Sequence, residues 1–505
     1  MSAPVPAARS GLLVATLAFA GIAASVTQTM ITPLIPQLPA IFETSPANAA
    51  WIVTATLLAA AVAVPIAGRL GDLFGKRRMI LISTVPLIAG GVVCAIAPNV
   101  EIMIAGRALQ GLGMGMAPLG IALLRDAVAR AKLSSAIATV SATLGVGGAI
   151  GMPLASGVIE FADWRTLFWG GAGVTVLAAA AIWKVIPALP AGASGQRFDG
   201  VGAVGLAVGL VSFILAISKG SEWGWTSGLT LGLISLAVVA FVLWGVWETR
   251  EKHPLIDLRT AVRPRVLLTN AASIFVGFGM YASMLVMPQV LQMPAQTGYG
   301  LGQSVLAAGL WMAPAGLMML LLSPVGGRLS NARGPKFTLT LGVVLIATGY
   351  GVALLGMGST WGLLATGIVV NSGVALAYGA MPALIMSSVP RSETAAANGF
   401  NTLMRSLGTT IGAAIVGVVL AQMTTTMGSV QVPSEAGFRT VLVIGAGVSL
   451  VAAAVAALIP AVKSELPTSG EEPAQPDRFV GAASEPEQGD RLVGAAVGAG
   501  ADSRA

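Results

Sequence analysis

The segment GRLGDLFGKRR, residues 68–78, places five charged side chains close together in a chain in which only 10% of the residues are charged. Its glycines and the Gly75-Lys76 pair suggest a phosphate-binding loop. Such a loop needs four residues between its two glycines and a Ser or Thr after the lysine, because the hydroxyl holds Mg²⁺ and the backbone N–H groups wrap the phosphates. Leu70 occupies the first glycine position and Arg77 replaces the hydroxyl. The spacing therefore excludes a nucleotide loop and disfavours ATP-driven pumping by this chain alone.

Side chains that support enzyme chemistry are scarce. His253 is the only histidine and Cys94 the only cysteine, which excludes a disulfide within the chain and a site of several histidines. Gly145 and Gly147 match part of a dinucleotide fingerprint, but no strand precedes them. No cluster of His, Asp or Glu falls inside an apolar segment, as metal binding or proton transfer would need. We predict neither an enzyme nor a bound metal or cofactor.

Two arginines, Arg107 and Arg405, fall inside apolar segments, where ionised side chains are costly and face protein or water. No Asp or Glu falls clearly inside such a segment, so neither arginine has an obvious carboxylate partner. Each either bonds backbone carbonyl oxygens as structural glue or offers a positive interior for a substrate or for ion coupling. Gln110 and the boundary acid Asp126 join them as candidate coupling or substrate residues.

The elements that must position these side chains are membrane-spanning helices. Hydrophobic residues make up 55% of the 505 positions and the mean hydropathy is +0.84, whereas soluble domains are roughly 45–50% apolar. Fourteen apolar runs are long enough to cross about 30 Å of hydrocarbon as helices, and they lack the alternation of barrel strands. We predict an all-α polytopic membrane protein with spans at 11–32, 49–68, 79–97, 102–123, 134–158, 166–186, 200–217, 228–248, 266–289, 303–323, 337–356, 360–380, 397–421 and 438–461.

The distribution of basic residues predicts how the spans are oriented. With the N-terminus in the cytoplasm, most Lys and Arg fall in loops that follow even-numbered spans, so the net charge of +7 reflects the positive-inside rule rather than nucleic-acid binding. Every tryptophan except Trp311 falls near the end of a predicted span, as expected of interfacial anchors. Trp311 falls mid-span, where it either packs between helices or walls a cavity. A cleavable signal peptide at 11–24 is an alternative for the first span, but apolar residues continue to Ile31.

The charged segment has a degenerate copy in the second half of the chain. GRLGDLFGKR at 68–77 aligns with GRLSNARGPK at 327–336, and each copy precedes the third helix of a six-helix block. Parallel repeats of this kind are one plan for secondary transporters. We predict four regions: an N-terminal six-helix bundle (1–190), two inserted helices with a cytoplasmic linker (191–264), a C-terminal six-helix bundle (265–462) and a disordered cytoplasmic tail (463–505).

Several motifs together resemble those of the major facilitator superfamily, in its fourteen-span drug-efflux type. Residues 68–78 are similar to the superfamily's loop signature between its second and third helices. GRALQGLGMG at 106–115 is similar to its arginine-bearing motif, and GVGGAIGMPLAS at 145–156 to its antiporter motif. NTLMRSLGTTIG at 401–412 is similar to a recurrent pattern in the thirteenth span. The resemblance covers roughly residues 10–462 and implies the major facilitator fold, two six-helix bundles with two additional helices.

The resemblance implies that the first motif is a cytoplasmic latch, which holds one access state closed while the halves rock. Gly71 and Gly75 permit a sharp reversal between helices. Asp72 either pairs with an arginine of the motif or caps a helix N-terminus. A topology anchor with no switching role is the alternative, and Asn331 replaces the acid in the second copy, so we expect an asymmetric latch. The predicted gate residues are Gly68, Arg69, Gly71, Asp72, Gly75, Lys76 and Arg77.

Glycines four residues apart predict two sites of close helix packing. Gly147 and Gly151 form one pair, and Gly408 and Gly412 form the other. Pairs with this spacing let helix backbones approach closely. Pro153 stands one place later than the superfamily's usual proline, so we expect helix bending to be retained, while the antiporter assignment is weakened.

The chain departs from its apparent relatives in the first span. Fourteen-span drug exporters commonly carry an Asp there, where this sequence has Thr27. Proton antiport needs a group that binds and releases a proton, usually a buried carboxylate. The remaining candidates are the boundary acids Asp72 and Asp126, coupled to Arg107, and exchange of a charged substrate or simple facilitation are alternatives.

We predict a large, apolar and adaptable cavity. Met280, Met284 and Met287 recur on one face of the ninth span, and methionines repack around varied shapes. Without an interior carboxylate a dication has no counter-ion, so the expected substrates are neutral or anionic amphiphiles. Each polar candidate for the cavity wall is alternatively a packing residue of the core. These candidates are Thr27, Gln28, Gln110, Asn270, Tyr281, Gln289, Trp311, Asn371 and Tyr378.

The residues and the resemblance together predict a secondary active exporter of lipophilic small molecules, driven by the proton gradient through alternating access. We place it, as a monomer, in a bacterial cytoplasmic membrane with both termini in the cytoplasm. The expected partners are a lipophilic substrate, protons and the lipid bilayer, with no nucleic acid. A facilitator or importer of a metabolite, without proton antiport, is the alternative.

Overall fold

The structure is a computed structural model that describes residues 7–35, 37–189, 196–427 and 430–460. Helices dominate it from end to end. The first part of the chain forms α1 (Ala7–Thr29), α2 (Leu38–Ile41), α3 (Pro46–Phe74), α4 (Lys76–Ala95), α5 (Val100–Leu112), α6 (Met116–Ala127), α7 (Arg130–Phe161) and α8 (Arg165–Val185). The rest forms α9 (Gly200–Trp223), α10 (Gly228–Arg250), α11 (Leu258–Ala261), α12 (Pro264–Gln292), α13 (Val305–Arg333), α14 (Pro335–Gly356), α15 (Thr360–Met386), α16 (Thr394–Gln422) and α17 (Glu435–Leu458).

Every predicted apolar run lies on a long helix or, for 102–123, on the pair α5 and α6. A 3₁₀ turn at Gly113–Gly115 joins that pair, within a glycine-rich stretch that disfavours continuous helix. In the described part of the chain, twelve helices are long and apolar enough to cross a membrane by themselves. The predicted all-α polytopic class is confirmed, whereas the number of fourteen spans stays a prediction. The predicted tail, 463–505, lies outside the described residues.

A short β-hairpin was not predicted. Strands β1 (Thr424–Met427) and β2 (Val430–Pro433) pair antiparallel between α16 and α17, with Thr424 opposite Pro433. Their sequences, TTTM and VQVP, are rich in β-branched residues, which favour extended backbone. The segment was too short and too close to the apolar runs for that signal to stand out.

The two halves of the chain pack their helices in the same scheme. In the first half α1 packs on α7 and α8, α3 on α5, and α4 on α5 and α8. In the second half α12 packs on α16 and α17, α13 on α15, and α14 on α15 and α17. The sequence echo at 68–77 and 327–336 thus occupies equivalent places in two similar bundles, although the predicted domain boundaries at residues 190, 264 and 462 stay predictions.

A single glycine makes the turn in each copy of the echo. Gly75 alone separates α3 from α4 with φ +96°, and Gly334 alone separates α13 from α14 with φ +85°. Residues that carry a Cβ rarely adopt a positive φ of this size, so glycine is the residue that fits. We call the end of the molecule that carries these two turns the inner end, after its predicted cytoplasmic location.

Close helix contacts inside each half occur at the predicted glycine pairs. α7 meets α1 at Gly147 and Gly151, where an added Cβ would press on the side chains of Ser25 and Thr29. α16 meets α12 in the same way at Gly408 and Gly412, against the backbone of that helix. Small residues are what allow such an approach.

The most extensive contact between the halves runs along two helix pairs, with smaller areas where α7 meets α15 and α6 meets α16. α3 packs against α16, and we call this pair the latch seam; α7 packs against α13, and we call this pair the small-residue seam. The inserted helix α9 packs against both α3 and α16 and, with its partner α10, lies over the latch seam. The two seams are equivalent under the repeat, because α3 corresponds to α13 and α16 corresponds to α7. The inserted hairpin nevertheless covers only the latch seam.

Candidate functional site

Asp72 ties the two halves together at the inner end of the latch seam. Its side chain is 0% exposed, and its carboxylate accepts hydrogen bonds of 2.9 Å from the N–H groups of both Ala395 and Ala396. These N–H groups open α16 and have no partner within the helix. Because a helix N-terminus is partly positive, an ionised carboxylate there makes charge-assisted bonds. Asp72 belongs to α3 of the first half, so these bonds cross from one half to the other.

Lys76 joins the two boundary acids. Its Nζ lies 3.5 Å from Oδ1 of Asp72 and 2.5 Å from Oδ2 of Asp126. The lysine thereby balances the buried charge that caps α16. The acids belong to this inner cluster, and the expected coupling of Asp126 to Arg107 has no counterpart in the contacts of either residue.

The arginines of the motif bind elsewhere. Arg69 is 3% exposed and donates to Oε1 of Gln196 at 2.9 Å. Arg77 donates to the carbonyl oxygen of Trp183 at 2.6 Å. Of the two contacts expected for Asp72, the structure has the helix cap, and its ion pair is with the motif's lysine rather than with an arginine.

Arg125 also ties the two halves together at the inner end, a contact that the sequence reasoning missed. From the end of α6 it donates to the carbonyl oxygens of Val389 at 3.1 Å and Pro390 at 3.3 Å and to Oγ1 of Thr394 at 2.7 Å. Val389 and Pro390 lie in the turn between α15 and α16, and Thr394 is the first residue of α16, so all three acceptors belong to the other half. The signal was the adjacent pair of opposite charges, Arg and Asp, at the end of the fourth apolar run, which the positive-inside rule explains equally well.

The glycines of the motif serve two different purposes. Gly75 alone makes the reversal, so the expectation that Gly71 shares it is wrong. Gly71 lies inside α3, where an added Cβ would meet the side chain of Leu119 on α6. A Cβ on Gly68 would come within 2.5 Å of the carbonyl oxygen of Ala395. Two motif glycines thus permit close packing, which brings Asp72 within reach of α16.

Arg107 is bound by one side-chain and two main-chain oxygens. It is 1% exposed, its Nη1 donates to Oε1 of Gln110 at 2.7 Å and to the carbonyl of Thr27 at 3.3 Å, and its Nε donates to the carbonyl of Ile52 at 3.4 Å. The contacts link α5 to α1 and α3. They match the structural alternative for this arginine, because every partner is an uncharged oxygen.

The first span offers no proton-binding group at the predicted place. The Thr27 hydroxyl donates to the carbonyl of Ala23 at 2.8 Å and faces α8, where an added Cβ on Gly171 would lie 3.5 Å away. Gln28, the neighbouring candidate, is exposed. Thr27 therefore satisfies itself within α1 and packs inside the first half.

Arg405 forms a cluster with two predicted cavity residues in the second half. Its guanidinium lies 4.4 Å from the ring centre of Tyr378, whose hydroxyl lies 2.9 Å from Sδ of Met280. Three helices, α16, α15 and α12, supply the three side chains. Arg405 is half-exposed, unlike Arg107, so its charge faces outward from the packed core.

Asn270 belongs to a buried polar group rather than to an apolar cavity wall. Nδ2 of Asn401 donates to Oδ1 of Asn270 at 2.9 Å and to the hydroxyl of Ser273 at 2.7 Å. These bonds hold α12 to α16 near the inner end. Asn371 and Gln289 instead donate to carbonyl oxygens one turn earlier in their own helices.

The remaining cavity candidates separate into buried and half-buried side chains. Met287 is buried in the core of the second half, while Met284 and Tyr281 are half-buried on the same helix. Trp311 lies in the outer third of α13, where it packs edge-on against Trp361 with ring centres 5.1 Å apart. The mid-span location expected for Trp311 is wrong, because α13 extends ten residues beyond the end of the apolar run.

Two repeated six-helix halves, joined by two seams and tied at one end by a buried acid, define a polytopic transporter fold. The sequence profile of the Major Facilitator Superfamily matches residues 17–413 and 270–497. The chain belongs to this superfamily. It is accordingly a multi-pass membrane transporter and not an enzyme.

Sequence relatives and solved structures agree with this assignment. The chain is 29% identical to a "Multidrug resistance protein B homolog" of Mycobacterium tuberculosis over 413 residues, which cover 79% of this chain and 74% of the relative. It is 29% identical to a "Probable actinorhodin transporter" of Streptomyces coelicolor over 386 residues, which cover 73% and 65%. The fold is similar to the human organic anion transporter MFSD10, with a TM-score of 0.63, 15% identity and coverage of 88% of this chain and 99% of that one.

Proposed function

We propose that the chain is a secondary active exporter of lipophilic small molecules that works by alternating access. The observation that carries the proposal is the capping of α16 by Asp72 across the latch seam. A contact of this kind closes the inner end while it lasts and opens it when it breaks. The names of the relatives, a multidrug resistance protein B homolog and a probable actinorhodin transporter, support export rather than uptake.

The strength of the latch suits a reversible switch. A hydrogen bond to a charged group contributes about 1.5–3 kcal/mol. A difference of that size changes the ratio of two states by roughly ten- to a hundredfold. Asp72 with its two N–H donors, helped by Arg125, is thus strong enough to favour the closed inner end and weak enough for substrate binding to overcome it.

We propose that the substrates are neutral or anionic amphiphiles. Every Asp and Glu on the long helices in the described ranges falls in the first or last turn of its helix, so the middle of the molecule offers no counter-ion to a cation. Arg405, half-exposed and stacked on Tyr378 beside Met280, offers one to an anion. An apolar, methionine-containing wall with one cation matches a lipophilic anion best.

Transport assays with purified protein in proteoliposomes test the substrate class. We expect a neutral and an anionic amphiphile of similar size to be transported, and a dicationic analogue to be transported poorly. Arg405→Gln should lower transport of the anion roughly tenfold and spare the neutral compound. The matched control is Arg439→Gln, which removes an exposed arginine paired with Glu435. Better transport of the dication than of its neutral analogue would overturn the proposed substrate class.

We propose that export is driven by protons, and that the inner end and both termini face the cytoplasm. A pH-sensitive dye inside the vesicles should report proton movement opposite to the substrate, and reporter fusions should place Lys76 inside the cell. We also propose that the protein acts as a monomer, which light scattering of the purified protein in detergent tests. Outward location of Lys76 would refute the assigned orientation.

A facilitator or importer of a metabolite is the second candidate, because Thr27 stands where drug exporters carry an acid and satisfies its own hydroxyl. Drug susceptibility of cells with and without the gene separates the two. An exporter lowers susceptibility to its substrates, whereas an importer raises it or leaves it unchanged. Transport without proton movement would favour the facilitator.

A further inference from the structure

The inserted hairpin carries a buried acid that the sequence reasoning missed. Glu248 lies in the last turn of α10 and is 2% exposed. Neither carboxylate oxygen accepts a hydrogen bond of normal geometry, although the indole of Trp244 and the N–H groups of Leu255 and Ile256 face it. An ionised carboxylate in such a pocket is costly unless it is paired. The predicted span 228–248 ends at this residue, so the sequence alone does not show that the acid is buried.

A second carboxylate lies beside Glu248. Asp199 caps α9 by accepting a hydrogen bond of 2.8 Å from the N–H of Gly202. Its two carboxylate oxygens also accept from Nε1 of Trp247, at 3.1 Å and 3.2 Å. A Cβ placed on Gly202 would touch an oxygen of each acid, so the two carboxyl groups are neighbours. Two adjacent carboxylates do not both ionise readily. Because Asp199 has the hydrogen-bond donors, Glu248 is the one that takes up the proton.

Glu248 lines a cavity of about 180 Å³ at the inner end of the latch seam. The opposite wall is the first turn of α16, the same turn that Asp72 caps, and Arg69 of α3. Arg69 is buried, and its Nε has no hydrogen-bond partner. The cavity is therefore lined by an acid and a cation, both incompletely paired, and lies between the inserted hairpin and helices α3 and α16.

The other charged groups around the cavity are more exposed and line its mouth. The linker after α10 contributes Glu251, Lys252, His253 and Asp257, and α11 contributes Arg259. Glu393 faces it from the turn before α16. Glu251 already accepts a hydrogen bond from the N–H of Lys252, and Asp257 from the N–H of Arg259 on α11. None of these replaces Arg69 as the buried cation nearest the gate.

We propose that Glu248 is a proton-binding site of the gate, protonated while the inner end is closed and deprotonated when the inner end opens. Protonated, the side chain is neutral and its burial costs little. Deprotonated, it needs water or a cation, and both lie toward the latch seam: water enters the cavity, or Arg69 turns from Gln196 to the carboxylate. Either change disturbs the base of α16, where Asp72 binds.

The proposal rests on the alternating-access function above and gives the inserted helices a role in it. Spin labels at the inner ends of α3 and α13 test the proposal. The labels are attached to Phe74→Cys and Arg333→Cys in a Cys94→Ala background without substrate, and the distance between them is measured. Both labelled residues are exposed and lie at the inner end, in different halves. We expect the long-distance, open population to grow as the pH rises from about 5 to about 9, the range in which buried carboxyl groups titrate.

Variants separate a proton site from a packing role. Glu248→Gln, which mimics the protonated acid, should hold the short distance at every pH. Glu248→Asp should restore a pH response. Asp199→Asn removes the neighbouring charge and should move the response to lower pH. Infrared difference spectra should show the carbonyl band of a protonated carboxylic acid in the wild type that Glu248→Gln lacks.

Several results would overturn the proposal. These are an identical pH response in the wild type and Glu248→Gln, no pH response in the wild type, or no infrared band that the substitution removes. If Glu248→Gln does not fold, Glu248→Asp and Asp199→Asn still test the proposal. A pH response is predicted in both variants, and in Asp199→Asn it should lie at lower pH; absence of either result would overturn the proposal. Failure of drug transport with an intact pH response would count against the proposed substrates or direction, not against this site.

Discussion

The latch seam and the small-residue seam join the same two halves by different means. At the latch seam Asp72 caps α16, Lys76 supports it, and Arg125 reaches across to the turn before α16. At the small-residue seam, in the described residues, contact is made by small side chains, with Gly327 of α13 against Ser135 of α7. Asn331 stands at the place of Asp72 in the second copy. Buried charges therefore join the halves at the latch seam, whereas close packing of small residues marks the other seam.

One device is shared by both seams. Gly68 and Gly327 hold the same place in the two copies of the motif, and an added Cβ would come within 2.5 Å of the opposing backbone in both, at Ala395 and at Ser135. The repeat thus preserves the close approach of the helices and varies the chemistry on top of it. The seam with the buried Asp72 and Lys76 is also the one that the inserted hairpin covers.

Neutralising the acid of the latch seam should have the largest effect. Asp72→Asn removes the charge from two hydrogen bonds that contribute about 1.5–3 kcal/mol each, so we expect at least a tenfold shift from the closed to the open inner end. The spin-label distance between residues 74 and 333 measures this shift. The matched change at the other seam, Asn331→Asp, should alter the distance little. An equal effect of both would show that the two seams are equivalent.

Filling the shared glycines should be nearly as harmful, and equally so at both seams. Gly68→Val and Gly327→Val each force a side chain onto opposing backbone, and overpacking costs about 1–3 kcal/mol. We expect a roughly tenfold or greater loss of substrate transport and a longer distance between residues 74 and 333. Gly447→Val on α17 is the control, since no atom lies within 4 Å of the Cβ it would add. Tolerance of valine at Gly327 alone would mean that this seam does not close tightly.

The sequence predicted the helices and the repeat, because apolar runs and glycine positions are local signals. It also singled out Asp72 as a residue that caps a helix or pairs with an arginine. It did not reveal the contacts of Arg125 with Val389 or of Glu248 with Asp199, since these residues are far apart in the sequence. A charge at the end of an apolar run is buried or solvated depending on what packs over it, and that depends on tertiary structure. Likewise Gly71 has its close neighbour on α6, which no local pattern contains.

Removing the second cation of the latch seam should have a moderate effect. Arg125 is half-exposed, so we discount its hydrogen bonds for solvent and expect Arg125→Gln to cost about 1 kcal/mol, or roughly a fivefold shift toward the open inner end. Arg328→Gln, which changes an exposed arginine near the other seam, should shift the distance between residues 74 and 333 less than twofold. No shift for Arg125→Gln would leave Asp72 as the sole ionic tie.

The smallest expected effect concerns how the inserted hairpin is attached at the outer end. Trp51 of α3 packs against Trp223 of α9, with ring centres 6.5 Å apart. Nζ of Lys219, also on α9, lies 5.0 Å from the ring centre of Trp51. In the second copy Trp311 packs against Trp361 of its own half. Trp51→Leu should remove a cation–π contact that contributes about 0.5–1 kcal/mol and raise amide hydrogen exchange at the outer end of α9 roughly two- to fivefold. Trp311→Leu should leave amide hydrogen exchange in α9 unchanged.

The pH response of the spin-label distance should survive Trp51→Leu, because the buried acids at the inner end of the hairpin remain in place. Loss of that response would show that the hairpin acts through its outer attachment.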